Sequence, residues 1–329
     1  MSTLMLIADT SGPLSDFGPY VPSINDHGMV AFQATRHDGS TGVFCGNGGE
    51  LSLLRQLATY RSHPDINNRG SLCVYADLPD GKPIVLLASA GMPPAIISHE
   101  TLSSIGPLGP TMNDAGAVAF RASSSAGHPG IYVADSSLCA VIAESGERFS
   151  GFEGLPVIIE DHTVFFRADH VDGGQGIHAR RRGGELSCVV VTGNRFAQLG
   201  RFPSANASGS VVFPAAQRDG PSGIFKAVGG SVEAVIDTRA GFESFRGALI
   251  DDAGRIVFYA TPPGGTLGVY ALDGAIPRRL IGMGDEFHDC PLSELVLNPV
   301  SINNAGQIAL RLALADRRQF IVRLDAFSP

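Results

Sequence analysis

Nine histidines and 56 formally charged side chains supply the groups for proton transfer and oxyanion recognition, yet no short motif gathers them. A serine nucleophile on a strand-turn-helix elbow would call for Gly-x-Ser-x-Gly, and neither that motif nor a phosphate-cradling loop occurs. Gly282-Met-Gly-Asp-Glu-Phe287 lacks the third glycine of a dinucleotide site. Asp169-His-Val-Asp-Gly-Gly174 opens like a calcium loop without the further oxygen ligands or terminal glutamate, and otherwise reads as a glycine-rich turn. Five cysteines, Cys45, Cys73, Cys139, Cys188 and Cys290, are odd in number with no Cys-x-x-Cys spacing. They read as small buried strand residues rather than zinc ligands or disulfides. No metal and no organic cofactor is expected.

What remains is dispersed acid-base chemistry. His99 and His288 fall in the two longest stretches between repeats, Ala90–Pro110 and Gly284–Pro299, which read as lids or pocket walls. Both are candidate catalytic residues because imidazole titrates near neutral pH. Asp65 is a third, either a carboxylate projecting into a central channel or a turn cap beside His63. His128, His170, Arg148, Arg195 and Arg239 are candidate substrate-binding groups, since guanidinium forks pair with carboxylate and phosphate oxygens. The competing assignment is a salt-linked rim with Glu144, Glu147, Asp219 and Asp237.

These residues need a scaffold, and a repeat supplies it. Ser23-Ile-Asn-Asp-His-Gly-Met-Val-Ala-Phe32 recurs around Asn67, Asn113, Asn206, Asp251 and Asn303, with a degenerate copy at Val157–Phe166 in which His162 replaces the glycine. Successive anchors step by 42, 46, 46, 47, 45 and 52 residues. Each unit reads as four short strands around a tight Asn-Asp-x-Gly turn: the phrase gives two, segments such as Gly42–Cys45 and Gly130–Val133 a third, and Ile84–Ala88, Ala140–Ala143 and Cys188–Val191 a fourth. Four strands at this period make a propeller blade. The fold expected is all-β, one domain over residues 1–329: a seven-bladed β-propeller of four-stranded antiparallel blades. The blade at 300–324 lacks a fourth strand, and Leu4–Asp9 has the form to complete it and cover its edge.

The Asn-x-x-Gly-x-x-Ala-Phe phrase resembles that of bacterial tandem-repeat proteins named for NxxGxxAF, over Leu4 to Leu324. The resemblance implies a propeller-like repeat and supplies no catalytic residues.

Strand alternation separates the residues just before each turn. The apolar set (Ile24, Ile66, Met112, Ile158, Ala205, Ile250, Ile302) is assigned to packing between blades. The small polar set (Ser23, Asp65, Thr111, Ser204, Ser301) is assigned to the channel lining. Net charge −8 without an extended basic block disfavours nucleic acid. No run reaches the length of a membrane span, and the first residues lack a basic, signal-like start, so a cytoplasmic protein is expected. The function expected is a cofactor-independent small-molecule enzyme, of hydrolase, lyase or isomerase/cyclase type, at the channel mouth formed by the inter-blade loops. The alternative is a non-catalytic scaffold that binds a ligand or a protein partner.

Overall fold

A computed structural model describes residues 3–54, 59–89, 92–98, 100–274 and 276–327. Among these the chain forms seven antiparallel sheets in sequence order, the blades of a propeller. Strands A to D of each blade run from the axis outward. Blade 4 is the simplest, with Phe149–Ile158, Thr163–His170, Gln175–Arg181 and Ser187–Val191. Strand A bulges in several blades, and there a serine at the bulge donates to a strand B carbonyl, as Ser15 does to Thr35 and Ser293 to Ala313.

The ring closes as expected. Leu4–Asp9 pairs antiparallel with Gln319–Asp325 and becomes strand D of blade 7. Ile7 and Ala8 then pack with Leu14, Phe32, Ala309 and Ile321, joining blades 7 and 1.

The core is distributed rather than central. Seven hydrophobic clusters each join two neighbouring blades. Alternation explains this: Val30 and Phe32 face blade 7 whereas Ala31 faces blade 2. Strand B is therefore apolar on both sides, which is why the repeat reads as an unbroken run such as Met-Val-Ala-Phe. Strand C carries a Gly-x-aromatic pair in which the ring lies over the glycine. A Cβ on Gly42, Gly130 or Gly268 would come within about 3 Å of Phe44, Tyr132 or Tyr270, so only glycine leaves room for the ring.

Four expectations need correction. Ile84–Ala88 is strand C of blade 2, part of Pro83–Ala88, and strand D is the two-residue Ala95–Ile96. The two supposed lids are blade material: 90–110 contributes Ala95–Ile96 and strand A of blade 3, Leu102–Ile105, while 284–299 contributes strand A of blade 7, Cys290–Val296. Of the cysteines, Cys45 and Cys73 are buried, Cys139 and Cys290 are half-buried and Cys188 is exposed.

The fourth correction concerns the residues before the turns. The apolar set packs between blades as assigned but borders the channel as well, while of the polar set only Asp65 and Thr111 reach the channel lining. The polar set is buried between blades, where Thr111 Oγ1 accepts from Ile158 N and Ser204 Oγ accepts from Ile250 N. These side chains latch one blade's backbone to the next, because a strand A facing the axis leaves amide groups that need partners. Asp65 is one such latch, its two carboxylate oxygens accepting from Ile66 N at 2.9 Å and Met112 N at 2.7 Å.

Two outcomes follow. Removal of residues 1–9 strips strand D from blade 7 and bares the edge of Gln319–Asp325; size-exclusion chromatography and thermal unfolding are expected to show oligomers and a lower Tm. Burial raises the Asp65 carboxyl to about 7, outweighing the two amide donors that lower it and aided by the charge of Asp114. A folded-state pKa above the unfolded value of ~4 favours the fold when Asp65 is protonated. That contribution is complete below the unfolded value and is lost as pH rises to about 7. It amounts to a few kcal/mol at most, on the order of 1.4 per unit. Thermal unfolding across pH 5 to 8 is expected to show the parent losing more stability than Asp65→Asn, and parallel curves would contradict this.

Candidate functional site

The turn asparagine does two jobs. Its side-chain oxygen closes its own turn, as Asn25 Oδ1 accepts from His27 N and Met29 N and Asn67 Oδ1 from Arg69 N and Ser71 N. Its side-chain nitrogen reaches the next blade. Asn303 donates to Asn25 O, Asn25 to Asn67 O, Asn67 to Asn113 O and Asn113 to Ile159 O, at 2.8, 3.0, 3.2 and 3.3 Å. Asn206 likewise donates to Asp251 O at 2.9 Å. Gly28, Gly70, Gly116, Gly209, Gly254 and Gly306 complete the turns at φ between 74 and 84°. At the degenerate copy His162 takes φ 67° without the glycine's freedom.

The residue after each asparagine builds a second, outer ring. Asp26, Asn68, Asp114, Glu160, Ala207, Asp252 and Asn304 follow one another around the axis. The backbone N–H of Asp26 donates to Asn68 Oδ1, that of Asn68 to Asp114, that of Asp114 to Glu160, and that of Ala207 to Asp252. The N–H of Asp252 then donates to Asn304, and that of Asn304 to Asp26. Side-chain amides also sit between carboxylates: Asn68 Nδ2 bridges Asp26 and Asp114 at 2.8 and 2.9 Å, and Asn304 Nδ2 bridges Asp26 and Asp252 at 3.1 and 2.9 Å. Ala207 offers no acceptor to Glu160 N, and Ile159 offers no donor across the same boundary, so both rings open between blades 4 and 5.

These rings form the rim of a cavity of about 330 Å³ at the turn end of the channel, with the aliphatic collar of Ile24, Ile66, Met112, Ile158, Ala205, Ile250 and Ile302 inside it. The lining contains the rim carboxylates Asp26, Asp114, Glu160 and Asp252, with Asp65 and Asp251 deeper in, and no Lys, Arg or His. Burial raises the Glu160 carboxyl, helped by the charges of Asp114 and Asp252 and opposed by the amide of Asp114. Carboxylates converging on a mouth with low-dielectric walls focus a negative potential there. Because each accepts a fixed backbone N–H, their positions are set by the scaffold. Among the described residues no group of three or more His, Cys, Asp or Glu is placed to ligate a metal.

Most of the residues selected from sequence stand elsewhere. His99 lies outside the described residues. Asp65 is 5% exposed, its carboxylate accepting across the blade boundary, and it stands among the residues that line the turn-end cavity. His288 forms the tip of a hairpin, Glu286–Phe287 against Pro291 and Cys290, with its ring stacked on Phe320 at 5.1 Å. His128 is exposed on the strand B to C turn of blade 3, its N–H donating to Ser124 Oγ. Arg148 lies over Phe149, and Arg195 lies over Phe196 and Phe225 while donating to Val232 O. Arg239 is tied to Asp237, the salt-linked arrangement weighed against oxyanion binding.

His170 has one unexpected partner: its Nε2 is 2.9 Å from Nε2 of the buried His178, which replaces the strand C aromatic of other blades. Burial, then the neighbouring His170 and Arg148, lower His178 to about 4, so it stays a neutral packing group at ordinary pH. Arg148 and His170 thus meet around Phe149, Asp65 stands at the turn-end cavity, and the other described candidates keep separate local contacts, so the structure does not bring the set to a common point. The acidic rim went unnoticed in sequence reading although its signal was present: an Asp, Asn or Glu follows the turn anchor in six of seven copies.

No protein-family model and no curated protein sequence matches the chain. Solved structures resemble it in fold. The β-propeller domain of the Trilobed protease from Pyrococcus furiosus, described as having an open velcro topology, aligns over 94% of this chain and 96% of its own at 12% identity and TM-score 0.63. Oligogalacturonate lyase from Vibrio parahaemolyticus aligns over 99% and 97% at 10% identity and TM-score 0.63. A puromycin-hydrolyzing peptidase of Mycobacterium tuberculosis aligns over 94% of this chain at 13% identity and TM-score 0.58, and the chain spans about half, 53%, of that protein. At these identities the likeness establishes that the chain is a β-propeller of seven blades.

Proposed function

We propose that this propeller is a ligand-binding scaffold that holds an organic cation at the turn end of its channel. The observation that carries this reading is the cavity whose rim presents four carboxylates with no cationic side chain in its lining, above an aliphatic collar. An ammonium or guanidinium group meets the carboxylates there while its apolar stem lies against the isoleucines. The volume of about 330 Å³ is at the small end of ligand pockets.

The acid-base enzyme expected from sequence has weaker support. The rim carboxylates are engaged by backbone and side-chain amides rather than set as a free acid and base, and among the described residues the groups chosen for catalysis and substrate binding do not converge on one point. Propeller enzymes occur among the structural relatives, at 10 to 13% identity.

Calorimetric titration with n-butylammonium, n-butanol and butyrate tests the proposal. Binding is expected for the ammonium alone, weakening with added salt because exposed charges are screened within ~10 Å at 0.1 M. Glu160→Gln keeps an acceptor for Asp114 N and is expected to weaken binding about threefold, the effect of one charge at roughly 6 Å in water. Because the Glu160 carboxyl takes up its proton above the ordinary range, affinity is expected to decline on acidification before an ordinary glutamate would titrate. Equal binding of butanol, or an unaltered Glu160→Gln, refutes the reading.

A further inference from the structure

The mouth is not isolated on its face. A groove of about 470 Å³ runs outward from it between the turns of blades 2 and 3, with Asn67 and Asp114 lining both. Beyond it lies an apolar cleft of about 740 Å³ between blades 1 and 2, which shares Ser89, Met92 and Pro93 with the groove. The cause is local. Strands D of blades 1 and 2 are only two residues long, Ser52–Leu53 and Ala95–Ile96, against five to seven in Cys139–Glu144, Ser187–Val191, Ser231–Asp237 and Ile276–Gly282. Among the described residues, the outer parts of these two blades therefore expose apolar side chains, with Leu53 at 44% and Met92 at 68% exposure.

We infer that this furrow docks an extended peptide segment which places a lysine or arginine in the acidic mouth and the apolar side chains that follow it in the groove and cleft. The proposal rests on the cation reading of the mouth and names the ligand class. Charge complementarity fixes one end, because the rim carboxylates have no cation among the mouth's lining residues. Lining chemistry fixes the other, where Met29, Leu53, Leu54 and Leu72 wall the cleft. Between them the groove offers both characters. Leu87, Met92, Pro93 and Ala115 are apolar, while the Ser71 and Ser89 hydroxyls, 3.0 Å apart, present polar groups to a main chain that must satisfy its own amides. The cavities follow one another along the face, and an extended chain advances ~3.3 Å per residue with alternating side chains, which suits such a path.

The test is fluorescence anisotropy with a fluorescein-labelled heptapeptide, Gly-Lys-Gly-Leu-Val-Leu-Gly, its Lys-to-Glu counterpart, and unlabelled n-butylammonium as a competitor that fills the mouth alone. The lysine peptide is expected to bind at least tenfold more tightly than butylammonium and to be displaced by it, and the glutamate peptide to bind at least tenfold more weakly. Ala115→Tyr, which fills the groove, and Met92→Ser, which removes apolar surface, are both exposed substitutions outside the mouth. Each is expected to lower peptide affinity at least fivefold and to leave butylammonium titration unchanged. Peptide binding that ignores both variants or the lysine, or that is no tighter than butylammonium, overturns the furrow while sparing the cation site. Failure of butylammonium itself to bind removes both readings.

Discussion

The whole ring depends on one side chain that must both accept and donate. A primary amide at the turn anchor closes its own turn with oxygen and holds the next blade with nitrogen, and an ionised aspartate, which has no donor, cannot do both. Blade 6 makes the point by exception. Asp251 there keeps the accepting role toward Arg255 N but lacks a donor, and the missing reach is supplied by Arg255, whose Nε bonds Asp251 Oδ2 at 2.6 Å while Nη2 donates to Asn304 O at 2.8 Å. The substitute link also lies over Phe327. Blade 4 makes it differently, since Ile159 has neither role and packs instead among Phe165, Ile177 and Phe213 in the cluster shared with blade 5. Where hydrogen bonding lapses, apolar contact carries the boundary.

Because the clamps point along the ring, they also place the next residue on the channel rim. The acidic mouth is thus a by-product of the turn geometry that closes the propeller: a short polar side chain after the anchor accepts the preceding blade's N–H, and aspartate does this as well as asparagine. Charge accumulates wherever aspartate is used. Asn68 and Asn304, set between carboxylates, keep that charge from becoming self-repelling. The result is a negative mouth held by backbone amides, the feature on which the proposed cation site rests.

How much of this was legible follows from particular residues. The step between anchors, the unbroken apolar strand B runs and the orphan strand at Leu4–Asp9 were enough to state seven blades and their closure, because period and edge pairing are properties of the chain itself. The same reasoning misplaced Ile84–Ala88 and mistook the stretches at 90–110 and 284–299 for lids, since short strands such as Ala95–Ile96 carry too few residues to show a period. It also sent the whole polar set of strand A to the channel lining, which only Asp65 and Thr111 reach. Two residues of alternation state that Asp65 and Ile66 point oppositely, but not that both border the cavity.

The sequence by itself determined the repeat, the sheet content and the ring closure, all of which arise from local patterns of turn residues and hydrophobic runs. Tertiary structure decided which end of the channel carries the cavity. It also made Asp65 a buried latch to the next blade. These are matters of what a side chain meets across a blade boundary, where the partners are 40 to 50 residues away or, at the closing seam, nearly the whole chain apart. No local pattern encodes such meetings, because they depend on the curvature of the ring that brings successive sheets face to face.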